Sequence, residues 1–93
     1  MKKRRGLFEG PEWQESRKTI DHDIQRFDEG FAWTLEHISL EPHDGTTPFL
    51  TEDHRIHRSW YPNVPEVWIY FRIEPDDDNC TLLWMEGRGF RVG

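Results

Sequence analysis

Ninety-three residues suffice for one domain with a modest core and leave no room for a second. Only 34% are hydrophobic, but five Trp, six Phe and two Tyr are among them, and aromatics bury more area per residue than Ala or Val. The net charge of −6 argues against a protein that coats itself in nucleic acid, since non-specific phosphate binding needs clustered Lys and Arg.

That charge is unevenly spread. Residues 1–8 carry +4, residues 9–53 carry three basic against twelve acidic groups, and residues 54–93 carry five against six. The five are all Arg, a residue suited to bidentate and stacked contacts more than to bulk charge. No apolar run reaches the roughly 18 residues of a membrane span. Met1-Lys2-Lys3-Arg4-Arg5 is not followed by the apolar segment of a signal peptide. The expectation is a cytoplasmic protein with no membrane contact. The single Cys80 excludes an intrachain disulfide and, lying in an apolar run, reads as a small core residue.

In chain order, Arg4 to Glu9 holds Leu7-Phe8 and reads as a short first strand. Gly10-Pro11 starts a helix running to about Lys18, since Pro at the first helical position loses no needed N–H. Trp13 is the side chain expected to seat this helix on a sheet. Asp21 is the N-cap of a second helix, in which Ile24, Phe27, Phe31, Leu35 and Ile38 recur at spacings of three and four and form one stripe. Residues 41–48 carry the Pro, Gly and Asp of a loop. His54 to Tyr61 follows as a strand, read with Ile56 inward and Arg55, His57 and Ser59 on the other face.

After a connection over 61–66 comes Val67-Trp68-Ile69-Tyr70-Phe71-Arg72-Ile73, the stretch with the sharpest pattern. Val67, Ile69, Phe71 and Ile73 alternate with Trp68, Tyr70 and Arg72, the period of a pleated strand with one face on the core. Glu74 to Asn79 is a turn, Cys80 to Glu86 the next strand, and Phe90 and Val92 are candidates for a last one. The order predicts an α+β domain spanning 1–93, with two helices on one face of a mainly antiparallel sheet of four to five strands.

This order, strand, helix, helix, strand, strand, strand, resembles the RelE/ParE superfamily of toxins from bacterial toxin–antitoxin pairs. The segment Val67 to Glu74, an acidic turn, and then Cys80-Thr81-Leu82-Leu83-Trp84-Met85-Glu86-Gly87-Arg88 resemble that family's paired final strands, which end in an apolar residue, Gly and Arg. The resemblance implies a plasmid-stabilisation type of toxin, a cognate antitoxin-like partner, and either RNA cleavage at the ribosome or inhibition of DNA gyrase. Position by position, it places Arg55 and His57 on the strand that supplies basic groups in the RNA-cleaving members. Arg88 matches the Arg ending the penultimate strand.

Cleavage through the RNA 2′-OH needs a base, a cation for the developing phosphorane charge and an acid for the leaving oxygen. His57 is chemically suited to proton transfer, Arg55 and Arg72 to clamping phosphate, and Arg88 to standing beside the leaving group. This is metal-independent endoribonuclease chemistry, and no cofactor is expected. Trp68 and Tyr70, with Arg58 and Phe90, are the candidate ligand- or partner-contacting residues, able to stack bases or hold a peptide. His54 and His57, three apart on a strand, point to opposite faces and cannot share a metal ion.

The alternative is a non-catalytic protein-interaction module of the same fold, with a homodimer among the arrangements it allows. Trp68 stands where many family members place Arg, Phe90 cannot move a proton, and the charge is acidic. Under either function, the expectation is that Arg55, His57, Trp68, Tyr70, Arg72 and Arg88 gather on the sheet face opposite the helices.

Overall fold

A computed structural model describes residues 3–18, 24–59 and 66–89, the backbone alone at 24–31, 59, 88 and 89. Strand β1 (Gly6–Glu9) is followed by helices α1 (Trp13–Lys18) and α2 (Ile24–Leu40), then by strands β2 (Thr47–Pro48), β3 (His54–Ser59), β4 (Glu66–Ile73) and β5 (Asn79–Gly89). The strands form one sheet in the order β1-β5-β4-β3-β2. The β2–β3, β3–β4 and β4–β5 pairs are antiparallel, whereas β1 runs parallel to β5. Among the described residues, the fold is α+β with a five-stranded mixed sheet and two helices.

The alternation read in the central strand is present. Val67, Ile69, Phe71 and Ile73 are buried and share one core with Trp13 of α1, Ile38 of α2, and Cys80, Leu82 and Met85 of β5, with Leu7 and Leu35 packed at its margin. Leu35 and Ile38 thus belong to the helical stripe as expected, while the side chains of Ile24, Phe27 and Phe31 lie outside the described residues. So do Trp60, Tyr61, Phe90 and Val92, and with them the expected last strand. Thr47–Pro48, read as loop, pairs with Arg55 and Ile56 as a two-residue edge strand. Its Pro suits an edge, where no ladder N–H is needed.

Two features hold the layers in register. The β4–β5 pairing shifts between Tyr70 and Phe71, which face Trp84 and Leu82, so that Leu83 is the extra residue of a bulge. Leu82 and Met85 consequently both point into the core. Beyond the bulge, the Met85 N–H is given to the buried Ser16 Oγ at 2.9 Å, and that hydroxyl donates to the Trp13 carbonyl at 2.8 Å. On the other side of the bulge, Gly10 donates to the Leu82 carbonyl at 2.8 Å, and a Cβ at Gly10 would come within 2.9 Å of that oxygen.

Candidate functional site on the outer face of the sheet

The pairing of β3 with β4 decides which side chains meet. His54 lies opposite Arg72, Ile56 opposite Tyr70 and Arg58 opposite Trp68, and directly opposed residues share a face. These six occupy the outer face, away from the helices. Arg55 pairs with Phe71 and His57 with Ile69, which puts both on the core side. The expectation that Arg55 and His57 stand beside Trp68, Tyr70 and Arg72 is therefore corrected, and Ile56 is outward where it was read as inward. β3 contains one aliphatic residue, so burial of Ile56 is a weak force against the pairing that β4 imposes.

Arg55 shows how a guanidinium is accommodated inside. It is 6% exposed, and its fork is met by the 46–52 loop. Nε donates to Thr46 Oγ1 at 2.6 Å and Nη2 to the Thr46 carbonyl at 3.0 Å, while Nη1 donates to the Glu52 carbonyl at 3.0 Å and carboxylate at 3.1 Å. A buried charge persists only when paired and hydrogen-bonded. The side chain is thus committed to fastening the loop onto β3.

His57 lies under α2, its ring 5.1 Å from that of His37 at an interplanar angle of 60°. His37 Nε2 in turn donates to the Asp44 carbonyl at 2.6 Å. Among the described residues, the buried Nδ1 of His57 has no hydrogen-bond partner. Burial, and secondarily the proximity of His37, push its pKa down to about 4, because an imidazolium there would be poorly solvated. At neutral pH this ring is uncharged and on the far side of the sheet from Arg72.

The outer face has its own order. The Arg58 guanidinium carbon sits 5.1 Å above the centroid of the Trp68 ring, a cation–π arrangement, and Nη2 reaches Thr47 Oγ1 at 3.4 Å. The Trp68 indole N–H donates to Glu66 Oε1 at 3.2 Å. Tyr70 OH donates to Glu86 Oε2 at 2.8 Å. Phe49 stands edge-on to both Tyr70 and His54, with centroids 5.5 and 5.6 Å away. Trp84, opposite Tyr70, is 38% exposed. Arg72 pairs with Glu74 at 2.8 Å. The Thr81 hydroxyl first, and Arg72 second, hold the Glu74 carboxyl below its usual range.

Of the eight residues singled out from the sequence, the structure brings together Arg58, Trp68, Tyr70 and Arg72 and separates Arg55 and His57 from them. Arg88 lies in β5 near the register step between Glu66 and Val67, its side chain outside the described residues, as is all of Phe90. Trp84, Glu86 and Phe49 were missed. Strict alternation from Cys80 and Leu82 would turn Trp84 and Glu86 inward, and the bulge reverses both.

The basic N-terminal stretch pairs within the fold. Lys3 meets Asp78 at 2.6 Å, Arg4 meets Glu36 at 2.7 Å and Arg5 meets Asp77 at 2.9 Å. Among the described residues, no group of three or more His, Cys, Asp or Glu is placed to hold a metal ion. No described helix is long and apolar enough to cross a membrane. Comparison with family models, curated proteins and solved structures gives no match to this chain.

Proposed function

We propose that this chain is a non-catalytic protein-interaction module with a RelE/ParE-like fold, docking a partner protein across the outer face of its sheet. The observation that carries this reading is the distribution of side chains over the two faces of β3 and β4. RNA cleavage needs a proton-transfer group and phosphate-binding cations around one scissile bond. His57 and Arg55 face the helices, with the Arg55 fork committed to Thr46 and Glu52, while Arg72 is outside and paired with Glu74. The outer face instead offers Arg58, Trp68, Tyr70 and Trp84, the Trp, Tyr and Arg composition enriched where proteins bind proteins.

The β-α-α-β-β-β order, with one added two-residue strand, supports the RelE/ParE-like reading of the fold. A toxin that acts by binding, as the gyrase-directed members of that family do, is the form of the toxin reading compatible with this arrangement. A cognate antitoxin-like protein is then the natural occupant.

The test has two arms. A photo-crosslinking aromatic amino acid in place of Trp84 should give one defined protein adduct in the native cells, and the same residue in place of Glu36 on α2 should not. In parallel, purified protein should leave ribosome-bound and free RNA intact. RNA cleavage that disappears in His57→Ala would overturn the proposal in favour of an endoribonuclease.

A further inference from the structure

Among the described residues, Lys3, Arg4, Arg5, Lys18, Arg55 and Arg72 each pair with a carboxylate of the same chain. With a net charge of −6, the charge left over for the surroundings is acidic. Arg58 differs from those six. Its guanidinium lies on the face of Trp68, and it pairs with no carboxylate among the described residues, although Glu66 is bound to the edge of the same indole. The outer face therefore already contains an aromatic seat with a guanidinium in it, and a carboxylate beside the seat that this guanidinium does not reach.

We infer that the outer face recognises a basic partner segment through an arginine, which displaces Arg58 from the face of Trp68 and pairs with Glu66. This rests on the interaction-module reading and adds the chemistry of the partner. Charge complementarity selects a basic segment against an acidic one. Arg is favoured over Lys because a planar guanidinium stacks on an indole and forks onto a carboxylate together, whereas an ammonium is a compact, strongly hydrated point charge. Arg58 acts as an internal occupant, so binding exchanges one cation–π contact for another and gains the Glu66 pair. Single-stranded RNA would need the opposite: surplus cation around the aromatics to meet its phosphates.

The experiment is fluorescence anisotropy at 0.15 M salt with four labelled probes: hepta-arginine, hepta-lysine, hepta-glutamate and a single-stranded RNA heptamer. Hepta-arginine should bind about fivefold or more tightly than hepta-lysine. Trp68→Phe, which keeps an aromatic ring and so the fold, should weaken it several-fold, and Glu66→Gln should narrow the gap between the two basic probes. Arg58→Gln should tighten hepta-arginine by about threefold, since the internal competitor is gone. That gain has the opposite sign to any effect of partial unfolding.

Equal binding of the two basic probes, insensitive to Trp68→Phe, would overturn the inference in favour of diffuse attraction to an acidic surface. Weaker binding on Arg58→Gln would also overturn it, by making Arg58 a direct contact. Trp68-dependent binding of hepta-glutamate would overturn the inference and leave outer-face protein docking intact. The same dependence with the RNA heptamer would remove both. Failure of every probe with a defined Trp84 crosslink preserved would overturn the arginine chemistry alone.

Discussion

Ser16 and Met85 stand 69 residues apart in the chain, yet the Ser16 hydroxyl accepts the Met85 main-chain N–H at 2.9 Å in a fully buried setting. The bond joins α1 to β5 just beyond the Leu83 bulge, where the strand turns Met85 back to the core. Ser16→Ala leaves that N–H buried without its acceptor, at a cost of about 1–3 kcal/mol. Urea unfolding should show a lower midpoint with an unchanged slope. Ser16→Thr keeps the hydroxyl and should recover part of the loss. A neutral Ser16→Ala would show that the bulge does not depend on this bond.

Arg55 is expected to govern stability, not a reaction. Arg55→Ala removes four hydrogen bonds to Thr46 and Glu52 and should cost about 2–3 kcal/mol, while releasing the 41–53 loop to limited proteolysis. Arg55→Lys should rescue little, because one ammonium cannot span acceptors arranged for a fork. Wild-type loop cleavage in Arg55→Ala would refute the clamp.

The pH dependence from His57 has a definite sign. An unfolded His titrates near 6.5, and the folded ring near 4. Above pH 6.5 the ring is neutral in both states and adds no pH dependence. Between 6.5 and 4 the unfolded chain binds the proton first, so stability falls as pH falls, by up to about 1 kcal/mol per pH unit. Comparing the wild type with His57→Gln isolates this slope from the carboxylates. A His57 ring titrating at or above 6.5 by NMR would contradict the burial described.

Phe71 and Trp68, three residues apart on opposite faces of β4, should separate packing from binding. Phe71 is fully buried in the core, and Phe71→Ala should cost about 3–5 kcal/mol by opening a cavity. Trp68, half-buried on the outer face, should cost clearly less stability when replaced by Ala and more partner affinity. Urea midpoints for both, beside the crosslinking yield at Trp84, decide it. Equal destabilisation would place Trp68 in the core after all.

The sequence by itself determined the central strand, because Val67, Ile69, Phe71 and Ile73 put every apolar group of that alternation on one side and Arg72 on the other. It also determined the helical character of 35–38, the seating of Trp13, and the turn at Glu74 to Asn79. The face of β3 was decided only by tertiary structure. In His54-Arg55-Ile56-His57-Arg58-Ser59 a single aliphatic residue opposes two His and two Arg, so hydrophobic alternation distinguishes the registers by little. The cost of burying Arg55 is met by Thr46 and Glu52, whose arrival no periodicity announces. The exposure of Trp84 was equally hidden, since one unpaired residue at Leu83 reverses the faces of Trp84, Met85 and Glu86. Strand alternation is a local property and was legible. Register, bulges and the solvation of a buried charge depend on what the neighbouring strand and loop supply, and these appear only when the chain is folded.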